Sequence, residues 1–413
     1  MSGRIQAPRG TYDVLGEQAA AREALESTAR QVLERAGYRR IETPVFEATE
    51  LFARGVGEST DVVQKEMYTL EGGEGASITL RPEGTAPVCR AYLEHGMHKL
   101  PQPVKLWYLS SFFRRERPQQ GRFRQFWQIG AEAIGSDDPA VDAESILLLA
   151  EILEAIGARG LRLRLASLGT QASRAAYREE LTAHLRAHAD ELSPEVRKRI
   201  ELNPLRAFDA DHPGTREVMA SAPLLLDHLS DDDHEHFADV RSLLDAVGIA
   251  YEVDPTLVRG LDYYTRTVFE YTSDVLGAQS GVGGGGRYDG LMEEIGGARA
   301  PGMGWAAGVE RMLLASPPVP VAPPPVDLYV AYATPEHRDD AFQLAADARR
   351  AGHAARLELA GRSLKGQLKH ADRVGARYVA ILGDEGTSLK DMESGEQKTV
   401  EAGTVMHHIR GPL

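Results

Sequence analysis

Apolar and polar positions along the chain change period several times, and each change predicts an element. Residues 17–36 carry apolar side chains at three- and four-residue steps and end near Gly37, the pattern of an amphipathic helix. IETPVFE, at 41–47, is strand-like. Two longer runs, VKLWYLSSFFRRE and FRQFWQIGAEAIG, flank the polar loop RPQQGR and predict a hairpin. SILLLAEILEAIG predicts a helix with an apolar face. Residues 171–250 are charge-rich and helical in period, with turn signals at SPE, NPL and HPG, and predict an inserted helical unit. After Pro255 a strand pattern returns through residue 287, followed by helices from about Tyr288 and over WAAGVERMLLA. Prolines cluster in ASPPVPVAPPPVD, which neither a helix nor a central strand tolerates, so a linker is expected over 317–325. Beyond it VDLYVAYA, ARLELA, YVAILG and TVMHHI read as strands, and HRDDAFQLAADARRAG and SLKGQLKHADRVG as helices, a small α/β domain over 326–413.

Composition narrows the class. With 413 residues, 42% hydrophobic and 26% charged, two or three soluble domains are expected. No run reaches membrane-span length, and MSGRIQAPRGTYDVLG lacks the apolar core of a signal peptide. A single cysteine, Cys89, excludes an intramolecular disulfide and a thiolate cluster and makes the cytosol the expected compartment. The net charge of −14 argues against a non-specific nucleic-acid coat. It is unevenly spread: from Val326 on, 12 Lys/Arg face 13 Asp/Glu, whereas the remainder has 35 against 48.

Candidate chemistry concentrates in the hairpin. Alternate strand residues share a face, so Arg114 and Glu116 point one way, and Arg122, Arg124, Phe126, Gln128, Gly130 and Glu132 line one side of the return strand. A solvated sheet face is the plain alternative, but clustered guanidiniums, carboxylates and one ring suit a nucleotide. In TLRPEGTAPVCRAYLEHG, Thr85 is the N-cap of a helix, a partner of Glu83 in holding an ammonium group, or both. SGVGGGGRYDG has G-x-G-x-x-G spacing without a βαβ context, so close backbone approach is the better reading than a dinucleotide site. DDDHEHF has no metal-ligand spacing and reads as a solvated acidic helix face. Arg311, early in its helix, projects into a cleft or pairs with a neighbour such as Glu310. Arg362, Lys365, Lys369 and Arg373, with Arg377 beyond, recur on one helical face and suit a phosphate backbone unless the face is merely solvated.

ELFARGVGESTDVVQKEMYT, TLRPEGTA, FRRERPQQGRFRQF, LVRGLDYYTRTVFE and GGGGRYDGL, in this order over nearly the whole chain, resemble the histidyl-tRNA synthetase family of class II aminoacyl-tRNA synthetases. The resemblance implies a catalytic domain over 1–170 and 251–316, a six- or seven-stranded antiparallel sheet flanked by helices. It further implies a helical insertion at 171–250 and an anticodon-binding domain at 326–413. Implied substrates are ATP with Mg²⁺, L-histidine and tRNA-His. The implied assembly is a homodimer, with IETPVFE at its interface. By the same resemblance, Arg259 and Arg114 flank the α-phosphate, and Tyr264 and Glu132 bind the imidazole. Glu83, Thr85 and Gln128 hold the ammonium, while Tyr263 lines the pocket. Phe126 stacks on adenine beside Glu116, and Arg122 and Arg311 reach the distal phosphates. No metal ligands are implied by residue. Trp127 and Gln120 depart from the family's frequent histidine and lysine, implying altered packing behind the sheet and weaker loop contacts to tRNA. The family's non-catalytic relative, the regulatory subunit of ATP phosphoribosyltransferase, is the alternative. An RNA-binding module without catalysis is a third.

Overall fold

The computed structural model describes residues 4–57, 60–277, 280–318 and 325–409, in two units, Met1–Val319 and Pro320–Leu413. Most of the linker expected at 317–325 lies outside the described residues.

The first unit opens with α1 (Glu17–Arg35), which buries Leu25, Ala29 and Leu33 on one stripe. After β1 (Arg39–Arg40), strands β2 (Phe46–Ala48), β3 (Tyr68–Glu71) and β4 (Ser77–Leu80) form a small antiparallel sheet ordered β2-β4-β3, with α2 (Thr49–Val56) between the first two. Helix α3 (Thr85–Glu94) leads to the hairpin β5 (Val104–Phe113) and β6 (Gln125–Ile134). Then come α4 (Pro139–Ala155), β7 (Leu161–Ser167), and α5 (Gln171–Ala187), α6 (Pro194–Arg199), α7 (Pro213–Met219) and α8 (Asp231–Ala246). Asp138, Thr170, Ser193 and Ser230 cap α4, α5, α6 and α8 with side-chain oxygens. The unit ends with β8 (Glu252–Val253), β9 (Thr265–Ser273), β10 (Gly281–Arg287), α9 (Leu291–Glu294), β11 (Gly302–Gly308) and α10 (Val309–Ala315).

Eight of these strands form one sheet, ordered β1-β5-β6-β11-β10-β9-β7-β8. The six central strands are antiparallel, and a two-residue strand joins parallel at either edge. Odd residues of β5, β6 and β11, among them Trp107, Ile129, Ala131, Ala133 and Trp305, pack on α1, α4, α8 and α10 in one core. Even positions face the other way, so the alternation expected for Phe126, Gln128 and Glu132 holds. The expectation of strand geometry at Arg114, Glu116, Arg122 and Arg124 does not hold, because β5 stops at Phe113 and β6 begins at Gln125. Gly10 takes the amides of Arg124 and Gln125 on its carbonyl and ends the ladder there. WAAG, expected to be helical, is strand β11 up to Gly308. Small apolar residues fit either period, and pairing to both β6 and β10 decides it.

In the second unit, β12 (Val326–Tyr332), α11 (Arg338–Arg350), β13 (Ala355–Leu357), α12 (Leu364–Arg373) and β14 (Ala376–Gly383) form a parallel core. β15 (Gly386–Asp391) and β16 (Gln397–Val400) extend it antiparallel, and α13 (Val405–His408) stands where TVMHHI suggested a strand. Val405 there is fully buried in the core with Leu328 and Val330.

Candidate active site

Two glycines make room for the floor of the site. On β6, Gly130 pairs with Tyr108, and a Cβ there would stand 2.3 Å from the Tyr108 ring. On β11, Gly304 pairs with Glu132, and a Cβ would stand 1.7 Å from Oε2 of that carboxyl. Larger residues at either place would displace a side chain of the floor. Above lies a hollow of about 270 Å³, lined by two hydrogen-bonded groups.

The first group is acidic and phenolic. Glu83 accepts from the amides of Thr85 at 2.8 Å and Ala86 at 2.9 Å, and from Tyr263 Oη at 3.4 Å. Of the two roles left open for Thr85, capping α3 thus falls to Glu83. Thr85 is the first helical residue, and its Oγ1 donates to Glu132 Oε1 at 2.9 Å. Glu132 also accepts from Tyr288 Oη at 2.7 Å and Tyr108 Oη at 3.4 Å. It is fully buried beneath the hollow, and Thr85 and Tyr108 form the surface above it. Desolvation outweighs the hydroxyl donors and pushes its carboxyl up to about 8. Burial also raises Glu83 and the phenols of Tyr263 and Tyr264. The two tyrosine rings are tilted against each other at 4.6 Å. Gln128 lines the hollow with a buried Oε1 that has no hydrogen-bond partner.

The second group is cationic. Arg114 and Arg259, from elements far apart in sequence, line the same hollow. Arg259 pairs with Glu270 at 2.9 Å and leaves its buried Nε without a partner. Burial works against its charge, yet Glu270 and the two tyrosines hold its pKa above the ordinary arginine value. Arg114 donates to Pro82 O at 2.9 Å and lies 5.3 Å from the centre of the Phe126 ring. Glu116 pairs with Arg122 at 3.3 Å and stands 3.8 Å from Arg114. Arg311 donates to the carbonyls of Gly121 at 3.1 Å and Gly281 at 2.6 Å, fastening the hairpin loop to the glycine strand. Burial and Arg122 lower its pKa. Arg124 lies outside, on the carbonyls of Glu116 and Arg9.

Several participants escaped the sequence reading. Glu270 lies inside LVRGLDYYTRTVFE itself, and only the β9 register reveals it as the partner of Arg259. Tyr108 and Tyr288 were signalled by the glycines that yield to them, Gly130 and Gly302. Glu310 accepts from Arg22 at 2.7 Å, from Tyr12 Oη at 2.9 Å and from Trp127 N, tying the N-terminal segment to the sheet. Trp127 packs against the core behind the sheet, with Arg22 over its ring at 5.4 Å. DDDHEHF, expected to be a solvated face, instead buries Asp233 and His236.

In the second unit, Lys365, Lys369 and Arg373 are exposed along α12, opposite its buried Gln367 and Ala371. Arg362 precedes the helix and pairs with buried Glu358 at 3.1 Å, so it does not extend the stripe. Arg377 opens β14. Among the described residues no group of three or more His, Cys, Asp and Glu is arranged to hold a metal ion. No described helix is long and apolar enough to cross a membrane.

A six-stranded antiparallel platform with helices behind it and arginines over a nucleotide-sized hollow is the catalytic fold of a class II aminoacyl-tRNA synthetase. A solved histidyl-tRNA synthetase from S. aureus superposes with a TM-score of 0.81 at 35% identity, covering 98% of this chain and 99% of that one. The histidyl-tRNA synthetase family model matches residues 10–312 and an anticodon-binding domain model matches 327–411. A histidine–tRNA ligase of Geobacillus kaustophilus is 47% identical over 98% of each chain, and one of Rubrobacter xylanophilus 48% over 96% of each. The chain belongs to the histidyl-tRNA synthetase family.

The Glu132 carboxyl carries a prediction for stability. The folded state keeps its proton up to about pH 8, whereas the unfolded chain releases it near 4.5, as an exposed glutamate does. The raised pKa therefore contributes stability that is complete below about pH 4.5 and lost as pH rises through about 8. Glu132→Gln removes this term. Its denaturation midpoint should rise relative to the unsubstituted protein as pH goes from 5 to 8, and parallel midpoint curves would refute the assignment.

Proposed function

We propose that the protein activates L-histidine with ATP and transfers it to the 3′ end of tRNA-His. The observation that carries this reading is a pair of unmet polar atoms among residues lining one hollow. Gln128 Oε1 is a buried acceptor without a donor, and Arg259 Nε a buried donor without an acceptor. They call for a ligand with an ammonium group and an anionic group close together, which an amino acid meeting a phosphate supplies.

In the first step a carboxylate oxygen of histidine attacks the α-phosphorus. The bond from that phosphorus to the bridging oxygen breaks, and pyrophosphate leaves. Negative charge grows on the non-bridging oxygens, where Arg259 and Arg114 are assigned, each lowering the barrier by ~2–4 kcal/mol. Glu83, Thr85 and Gln128 receive the ammonium; Tyr264 and Glu132 select the imidazole beside Tyr263. Phe126 supplies the ring for adenine, Glu116 its amino contact, and Arg122 and Arg311 the distal phosphates. Mg²⁺ is taken to arrive with the nucleotide, where it would neutralise phosphate charge; among the described residues no cluster is arranged to hold it without the phosphates. In the second step a ribose hydroxyl of the tRNA attacks the acyl carbon and AMP leaves.

The domain roles follow: residues 1–170 and 251–316 catalyse, 171–250 form the helical insertion, and 326–413 read the anticodon. A homodimer is supported by the small sheet, whose one face gathers Phe46, Tyr68, Leu70, Ile78 and Leu80 by register. Phe46 is 54% and Leu70 51% exposed, an apolar face that asks for cover. A cytoplasmic location is proposed to accompany this activity. The regulatory-subunit reading is weaker because it requires neither the histidine-facing groups nor the domain after the linker.

Histidine-dependent exchange of pyrophosphate into ATP tests the reading. Arg259→Ala should lower it by roughly 100- to 1000-fold with the fold retained, and undiminished exchange removes Arg259 from the mechanism. Joint Lys365→Glu and Lys369→Glu substitution should weaken tRNA-His binding and flatten its salt dependence; an unchanged slope makes the stripe a solvated face. Phe46→Asp should shift the protein from dimer to monomer in sedimentation, and a monomer before substitution would end the dimer proposal.

A further inference from the structure

Behind the tyrosine pair, strand β9 begins with a bulge. Thr265 pairs with Arg287 and Val268 with Gly286, so two residues of β9, Arg266 and Thr267, are set against none of β10. Arg266 has φ +46°, alone among the described non-glycine residues in that region. A left-handed backbone at a long side chain is strained and persists only where its surroundings hold it. Bulges bend a strand and re-aim the side chains beside them. Tyr263 and Tyr264 immediately precede this bulged strand, and the Tyr264 ring rests against Gly286, where a Cβ would stand 2.9 Å from it.

A single chain of charged groups grips both strands of the bulge. Asp232 and Asp233, in the first turn of α8, take the guanidinium of Arg266, the second at 3.0 Å through Nε. Arg266 Nη1 faces His236 Nδ1 at 3.4 Å, and His236 Nε2 meets Asp142 Oδ2 at 2.9 Å. Asp142 holds the fully buried Arg287, the residue opposite the bulge on β10. Arg287 reaches Asp289 at 3.3 Å, and the Asp289 amide donates to Thr265 Oγ1 at 3.3 Å, which returns the chain to β9. The main chain of Arg266 is fixed as well, its amide donating to Gly169 O at 2.8 Å and its carbonyl accepting from Leu168 N at 2.6 Å.

We propose that Arg266 is a positioning residue for amino-acid recognition, which, clamped by Asp232 and Asp233 of α8, holds the bulge that aims Tyr263 and Tyr264 into the hollow. It touches no substrate and acts through the tyrosines. The reading of the hollow as a histidine and ATP site underlies it. Three substitutions separate its parts. Arg266→Gly keeps a backbone free to stay left-handed and removes the guanidinium. Arg266→Lys keeps the charge and loses the fork. Asp232→Ala removes only a partner that is 78% exposed, and so carries the test should the Arg266 variants fail to fold.

In pyrophosphate exchange, Arg266→Gly and Asp232→Ala should raise KM for histidine at least about tenfold, with KM for ATP unmoved and partial recovery in Arg266→Lys. A merely structural role would lower the melting temperature or the active fraction and leave KM for histidine where it was; that outcome overturns the proposal. In parallel, 3-fluorotyrosine at 263 and 264 should show shifted or broadened ¹⁹F resonances in the same variants. If the unsubstituted protein shows no histidine-dependent exchange, the histidine reading falls, and the resonances alone decide the clamp: unmoved resonances overturn it.

Discussion

The polar face of β6 is the constraint from which the site follows. A strand in the middle of an antiparallel sheet offers every second side chain to each face. In β6 one set is spent on the core with Ile129, Ala131 and Ala133, which leaves Phe126, Gln128, Gly130 and Glu132 on the other. Burying two acids, Glu83 and Glu132, side by side in that space would cost several kcal/mol were both ionised and unpaired. The structure meets this in two ways. Glu83 takes two backbone amides at the start of α3, and Glu132 keeps its proton up to about pH 8 while three hydroxyls surround it. The tyrosines and Thr85 are therefore as much a solution to the burial of acids as they are a pocket lining.

The arginines present the opposite problem with the same answer. Arg259 has Glu270, and Arg114 and Arg122 share Glu116. These pairs are partly exposed, between 17% and 42% by side chain, so each adds little to stability. What they fix is direction. A guanidinium already held in place loses less freedom on meeting a phosphate and needs no reorganisation as charge develops there. The arrangement also keeps an acidic protein, at −14 overall, able to receive a polyanion at one spot without coating itself in cation elsewhere.

Period-two alternation needs no knowledge of the partner strand, and so the face shared by Phe126, Gln128 and Glu132 was legible in the sequence. The limits of the strands were not. Arg122 and Arg124 keep the right parity, but Arg122 closes the hairpin turn on Gln119, and the carbonyl of Gly10, over a hundred residues away, takes the amide of Arg124, so both lie outside β6. WAAG was misread because small apolar residues satisfy both periods. The hairpin of β15 and β16 went unseen because its residues are polar and half solvated. Arg362 kept helical spacing with Lys365 and Lys369, yet a buried Glu358 four residues earlier in sequence claims it. At Arg124 and in WAAG a contact with a distant segment overrides the local pattern. DDDHEHF is the same case with a functional consequence, since a composition suited to solvent holds two buried groups only because Arg266 and Asp142 are there to meet them.

The atoms left without partners distinguish a site from a well-packed core. A buried polar atom without a hydrogen bond costs ~1–3 kcal/mol, and around this hollow nearly every group that could be satisfied internally has been. Gln128 Oε1 and Arg259 Nε are exceptions of opposite polarity. Had both been acceptors, a cation alone would satisfy them; had both been donors, an anion would. One of each favours a ligand that carries both charges or two ligands that meet. Desolvation already endured in the empty protein is not incurred again on binding, so part of the affinity is set aside in the fold itself. The same logic explains why the floor is glycine-rich. With Gly130 and Gly304 yielding their space to Tyr108 and Glu132, the groups that must stay fixed are backed directly by main chain rather than by side chains free to rotate.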